Sequence, residues 1–198
     1  MKKLILLFFI VLSFTFSNSR AQDFNFATTK DEIIDALINT EIKQRSETRT
    51  TMGSIIPKTR GLKIVTGKEG EIVEKKIDLH ETESEQGVNL NIKFDFYSYA
   101  IRPESFVLIN ELGKALIDEK VKIKNIIIKG HTDSTGIETY NLKLSLKRAL
   151  AVKTYLTENF TVASSRIKVV GCGETLPLVS NSNEANRQIN RRVEVVAE

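Results

Sequence analysis

The twenty residues from Gly130 to Ala149, GHTDSTGIETYNLKLSLKRA, bring a histidine, an aspartate, several hydroxyl groups and three basic residues together. Such a set could serve nucleophilic hydrolysis, metal binding or the grip of a doubly charged ligand. His131, Asp133 and either Ser134 or Ser145 supply the residue types of a hydrolytic triad, which is recognised by geometry and not by type. His131 and Asp133 are two apart at a strand end. They point the same way, with no acid behind the imidazole. No G-x-S-x-G elbow occurs, so no enzyme activity is expected. The only histidines, His80 and His131, fall outside any zinc spacing, and no metal site is expected. Cys172, the sole cysteine, lies between two glycines in GCGE and lacks a partner that would make it a nucleophile; it reads as a semi-buried bystander. GCGETL lacks the third glycine of a dinucleotide fingerprint, and no cofactor is expected.

The binding chemistry rests on Asp133 and Arg148. Helical side chains lean toward the N-terminus, so Arg148 points back toward the loop that holds Asp133. Thirteen helical residues counted from Thr135 span ~20 Å. The two side chains meet only if the loop folds back or the helix begins later. An acid and a guanidinium that do not fully neutralise each other suit a zwitterion: ammonium on Asp133, carboxylate bidentate on Arg148. The alternative is an ordinary salt bridge worth ~0–1 kcal/mol, or no contact. The pattern alone favours that alternative.

The elements that must position these residues are legible from Val88 onward. In VNLNIKFDF, Val88, Leu90, Ile92, Phe94 and Phe96 alternate with polar residues, which predicts one half-buried strand. Pro103 suits the first turn of a helix, and Phe106, Ile109, Leu112 and Leu116 form its stripe. KIKNIIIKG is β-branched and short, a strand. Thr135 and Glu138 could form a capping box for a helix to about Asn159. Its stripe, Leu142, Ser145, Ala149, Val152 and Leu156, is small in the middle, where a sheet could approach. RIKVVG and RRVEVV are the last strands. The order is βαβαββ: an α/β (α+β) fold, a two-layer sandwich with helices packed on a mixed sheet. Upstream, Thr29 and Glu32 fit a capping box before IIDALI, a short helix. Residues 40–60 are polar and without period. LKIV and EIVEKKIDL could pair across a Gly67–Gly70 turn, and 81–87 reads as a linker.

The first 21 residues read as a secretory signal: Lys2 and Lys3, an apolar run from Leu4 to Phe16, then Ser19 and Ala21 at cleavage spacing. The run is short for a membrane span of ~20 residues, and an uncleaved anchor is the alternative. The formal charge of +4 loses Lys2, Lys3 and Arg20 on cleavage after Ala21, and the remainder has no basic run, so nucleic acid is not an expected partner. A single cysteine permits no internal disulfide framework. The reading divides the chain into a signal (1–21), an N-terminal extension of unknown role (22–87) and one domain (88–198).

Four blocks in that domain resemble a known family: GHTDSTG at 130–136, NLKLSLKRA from Asn141 to Ala149, a stretch from Arg166 carrying Cys172-Gly173-Glu174 and Pro177, and NRRVE from Asn190 to Glu194. They resemble the OmpA-like (OmpA/MotB C-terminal) peptidoglycan-binding domain over about Val88 to Val196. The resemblance implies a βαβαββ fold and a ligand, the diaminopimelate of peptidoglycan stem peptides. It implies that Asp133 and Arg148 carry the zwitterion contacts, reversing the reading that the pattern alone favours, and that the loop folds back. It further implies that Asn141 borders the pocket, that Arg191 lines it, and that Thr132 and Gly136 shape the loop. Many members have an asparagine at the pocket edge where this chain has Tyr97, and an aromatic where it has Cys172. An eight-stranded barrel does not fit in residues 22–87. The expectation is an exported, periplasmic or outer-membrane-associated protein of a Gram-negative envelope that anchors or positions something on the cell wall. The alternative is an adaptor whose 22–87 region binds another envelope protein.

Overall fold

The structure is a computed structural model that describes residues 26–47, 62–66, 72–76, 87–95 and 97–198, with the backbone alone for 40–47, 62–66 and 72–76. The expected signal segment and its cleavage point, the Gly67–Gly70 turn, His80, most of the 81–87 linker and Phe96 lie outside the described residues. Among the described residues no helix is long and apolar enough to cross a membrane.

Four α-helices and six strands follow in the order α1 (Lys30–Glu47), β1 (Leu62–Thr66), β2 (Ile72–Lys76), β3 (Val88–Leu90), α2 (Phe106–Leu116), β4 (Ile126–Gly130), α3 (Glu138–Asn159), β5 (Ile167–Gly171), α4 (Glu184–Asn190) and β6 (Val193–Ala197). The strands form one sheet in the order β2-β1-β5-β4-β6-β3. Among the described strands β4 and β5 alone pair in parallel, and α3 supplies the crossover that a parallel pair needs. The expected βαβαββ order is present from Val88 onward, with α4 inserted before the last strand.

The core follows from the alternation. Ile126 and Ile128 of β4, Ile167 and Val169 of β5, and Val193 and Val195 of β6 bury against Ile109, Leu112 and Leu116 of α2 and Leu142, Val152 and Leu156 of α3. The upstream helix belongs to the same core. Thr29 and Glu32 cap it reciprocally: the Glu32 amide donates to Thr29 Oγ1 at 3.3 Å and the Thr29 amide to Glu32 Oε2 at 3.2 Å. Ile33, Ile34 and Leu37 then enter the core. The helix is longer than the apolar pattern suggests and runs to Glu47. β1 and β2 form the expected antiparallel pair and extend the sheet from β5. Residues on both sides of Gly87 thus share one core and one sheet.

Two sequence expectations change in detail. The predicted nine-residue strand keeps its alternation, with Ile92 buried and Phe94 half-buried, but pairs only over Val88–Leu90. Its partner β6 begins at Val193, opposite Leu90, so the ladder has no strand to continue on. The chain instead closes on itself. The Asp95 amide donates to the Ala100 carbonyl, and the Arg102 amide to the Lys93 carbonyl. The second change is that Thr135 does not cap α3. Its amide is taken by Asp133 Oδ1 at 2.8 Å, Gly136 turns the chain with φ of 105°, and the helix starts at Glu138.

The small centre of the α3 stripe has the use expected of it. A Cβ on Gly130 would lie 2.1 Å from the Ser145 carbonyl oxygen, and one on Gly171 would lie 2.8 Å from the Leu142 carbonyl oxygen. Backbone meets backbone here, so no side chain can yield. Gly130→Ala is expected to destabilise the fold by ~1–3 kcal/mol, the usual cost of overpacking; a lower urea midpoint at unchanged slope would record it.

Candidate functional site

The β4–α3 loop is built around Asp133. One carboxylate oxygen holds the Thr135 amide, an Asx turn that aims the loop back over the helix. The other accepts Arg191 Nη1 at 2.6 Å. Burial pulls the Asp133 carboxyl upward in pKa, but the Arg191 guanidinium and the Thr135 amide outweigh it and hold it below the usual carboxylate value. The Thr135 side chain adds to the hold of its amide on this carboxylate. Asn141 anchors this loop from α3. Its Nδ2 donates to the carbonyls of Asp133 (3.3 Å) and Thr135 (3.1 Å) and to Glu174 Oε2 (2.6 Å). Thr132 is buried, with its amide on the Gly173 carbonyl at 2.8 Å. Its Oγ1 has no hydrogen-bond partner among the described residues.

Arg148 is 7% exposed. Its Nε donates to the Ser98 carbonyl at 3.1 Å and its guanidinium carbon lies 5.0 Å from the centre of the Phe94 ring. No carboxylate among the described residues comes within ion-pair distance of it. Burial, and secondarily repulsion from Arg191, pushes its pKa down to about 10, with Asp133 opposing. It therefore stays charged at neutral pH while lacking a counter-ion. Asp133 and Arg148 feel each other electrostatically but do not touch. Arg191 links them, bonding to Asp133 and lining with Arg148 one cavity of about 400 Å³. Asn91, Phe94, Arg102 and Gln188 complete much of that lining. Asn91 Oδ1 is buried without a partner among the described residues.

α3 begins three residues beyond Thr135, and Asn141 Nδ2 on the Asp133 carbonyl holds the loop over its first turn; the Asp133 and Arg148 side chains are brought nearer without meeting. Tyr97 stands at the edge of this region, 56% exposed and with φ of 49°. Its carbonyl accepts the Tyr140 hydroxyl at 3.3 Å, and the two rings lie 5.8 Å apart.

Sequence reasoning places no element between Cys172 and Asn190 and so misses α4, which orients Arg191. Asn183 caps this helix, accepting the Asn186 amide at 2.8 Å. Glu184 Oε1 and Gln188 Oε1 accept from Arg191 Nη2 at 2.5 and 2.6 Å. Burial pulls the Arg191 pKa down, but Asp133 and Glu184 outweigh it and raise it. An asparagine followed by an acidic residue is a readable helix start. What hides it is length: seven residues show no apolar stripe. The next residue in the NRR block has a different task. Arg192 is buried, and its Nε donates to Asn89 Oδ1 at 2.8 Å.

His131 lies on the other sheet face, away from α3. Its Nε2 is 3.2 Å from Glu194 Oε2, and Lys129 Nζ is 3.2 Å from Glu194 Oε1. The ring thus pairs with a carboxylate. Ser145 is committed elsewhere, donating to the Leu142 carbonyl at 2.7 Å and accepting the Gly173 amide at 2.9 Å. Cys172 is fully buried, where semi-burial was expected, because it packs with Ile127, Val170 and Val196. Among the described residues no three His, Cys, Asp or Glu side chains cluster as a metal site would need.

Comparison with known proteins follows the same residues. The OmpA family profile matches residues 93–191. Outer membrane porin F of Pseudomonas fluorescens is 41% identical over 111 residues, which cover 56% of this chain and 33% of the porin. The outer-membrane lipoprotein YfiB of Pseudomonas aeruginosa is 32% identical over 123 residues, covering 62% of this chain and 71% of YfiB. Peptidoglycan-binding protein ArfA of Mycobacterium tuberculosis is 38% identical over 97 residues, 48% of this chain and 28% of ArfA. The chain therefore spans about a third of the length of the porin it matches. With a profile that covers half of the sequence, and with Asp133, Arg148 and Arg191 all inside the match, the chain belongs to the OmpA family.

Proposed function

We propose that this protein binds peptidoglycan without covalent or enzymatic chemistry, through the diaminopimelate of stem peptides, and so anchors or positions a component of a Gram-negative envelope on the wall. The periplasm, with or without outer-membrane association, is the compartment this requires. One observation carries the reading: Arg148 is a buried guanidinium with no carboxylate paired to it among the described residues, sharing a cavity with the arginine that holds Asp133. Burying a charge is costly unless something pairs with it. A ligand carboxylate on the Nη edge supplies the counter-charge, and the ligand ammonium pairs with the negative charge of Asp133. The name of ArfA, a relative through these blocks, supports the same ligand class. The adaptor reading loses part of its motivation, because part of the polar stretch after residue 40 continues α1.

The experiment is a titration of meso-diaminopimelate, with cadaverine as control, followed by backbone amide shifts. Cadaverine keeps both ammonium groups and lacks both carboxylates. Saturable shifts confined to 132–136, 97–99 and 188–192 with diaminopimelate alone are expected. Equal responses to both compounds would reject the carboxylate contact, and no response to either would reject the site.

A further inference from the structure

A second concavity adjoins the Arg148 cavity. It is about 600 Å³ in volume and runs along α3 from Lys147 to Glu158, with Tyr99, Ile101 and Phe106 on its other side. Eleven helical steps make it ~17 Å long. The two linings touch at consecutive residues, Lys147 beside Arg148 on the helix and Ile101 beside Arg102 on the loop. Tyr99, 53% exposed, lines the groove, and nearby in the chain Tyr97 forms a tilted ring pair with Tyr140. Lys147 Nζ lies 5.6 Å from the centre of the Tyr99 ring.

We propose that this groove is a subsite for the N-acetylated glycan of the same peptidoglycan strand; the inference rests on the stem-peptide reading of the Arg148 cavity. The chemistry of the walls selects the occupant. A pyranose has an apolar C–H face, and its acetamido group adds a methyl, while hydroxyls ring the edge. It needs an aromatic and aliphatic floor with a polar lip. The floor here is Phe106, Leu150 and Ala151, and the lip holds Lys147, Thr154 and Glu158. The Tyr155 hydroxyl is already spent on Asn110 Oδ1 at 2.9 Å, so Tyr155 offers its ring.

Covalent reach fits as well. The diaminopimelate is the third residue of a stem whose first residue is joined to the sugar. Three extended residues span roughly 10 Å, and Arg148 and Ala151 are about one helical turn apart on α3. A stem held by Arg148 and Asp133 thus delivers its own sugar to the groove mouth, past Tyr97 and Tyr99. The intramolecular second contact raises affinity without further loss of translational freedom.

The test compares two ligands on the full chain by calorimetry: the free tripeptide L-Ala-γ-D-Glu-meso-diaminopimelate, and the same tripeptide on its GlcNAc-MurNAc disaccharide. The disaccharide form is expected to bind at least about tenfold tighter. Ala151→Glu, which fills the floor with a charge, should erase that increment and leave the tripeptide affinity within about twofold. Tyr99→Ala, at an exposed position, is the second variant should Ala151→Glu not fold, and it should remove most of the increment. Equal affinity of the two ligands for the unaltered protein overturns the glycan subsite and leaves the stem-peptide site standing. An increment that survives both substitutions also overturns it. If neither ligand binds, the reading of the Arg148 cavity falls and the subsite falls with it. Self-association abolished by Ala151→Glu, with no sugar increment, would assign the groove to a second copy instead.

Discussion

Arg148→Ala is expected to lower affinity for a diaminopimelate peptide by at least about 100-fold and to abolish capture by purified sacculi. Truncating one member of a buried, hydrogen-bonded charge pair costs ~2–5 kcal/mol, and 100-fold is about 2.7 kcal/mol. Arg148→Lys should recover little of this, because an ammonium cannot present two parallel donors to a carboxylate. The fold itself should not suffer. The guanidinium is buried and has no carboxylate partner among the described residues, so Arg148→Met, which keeps the stem and its contact with Phe94, should melt at or above the temperature of the unaltered protein. That opposition between binding and stability separates a functional arginine from a structural one. On the acidic side Asp133→Asn is cleaner than Asp133→Ala, because an amide oxygen still accepts from Thr135 and keeps the turn. It should lose sacculus binding as well. Binding retained by both Arg148→Ala and Asp133→Asn would remove the basis of the proposed site.

The second large effect is acid lability from the far face of the sheet. Burial holds the His131 imidazole at about 4, below its ordinary 6.5; the hydrogen bond to Glu194 opposes this, and the charges of Arg192 and Lys129 add to it. A base with a depressed folded pKa takes up its proton first in the unfolded chain. Stability therefore falls as pH drops from 6.5 toward 4, by about 3 kcal/mol in all at ~1.4 kcal/mol per unit. Glu194 continues the trend. Burial pulls its carboxyl up, but His131 and Lys129 outweigh it and hold it at about 2, against an ordinary 4.5. Its contribution is complete above 4.5 and is lost as pH falls toward 2. Urea midpoints at pH 7 and pH 4.5 should differ markedly, and His131→Gln should flatten the curve between 6.5 and 4 and reduce the loss below 4.5 to the part that Lys129 sustains. A curve as steep in His131→Gln as in the unaltered protein would show that another group carries the acid sensitivity.

How much was legible in advance varies from element to element. α2 and α3 bury the stripes that their spacing predicts, because a 3.6-residue repeat of large apolar groups has few other ways to leave water. The capping box of α1 reads directly, since its bonds are local: Thr29 and Glu32 need only each other. The end of β3 and the start of α3 do not. β3 stops because β6 offers no further partner. Thr135 yields the cap because the turn made by Asp133 and Gly136 delays the helix to Glu138.

The same division separates the two halves of the site. Periodicity and residue type were enough to establish a two-layer α/β sandwich, an acid in the loop after a strand and an arginine within the following helix. Those are properties of short stretches, written in nearest-neighbour chemistry. That Asp133 would bond to Arg191 and leave Arg148 without a counter-ion was decided only when α4 brought Glu184 and Gln188 onto Arg191. Arg191 lies 58 residues from Asp133 in the chain, and local sequence carries no record of which of two arginines a carboxylate will meet. Packing makes that choice, because the guanidinium that reaches the acid is the one whose other donors already have partners.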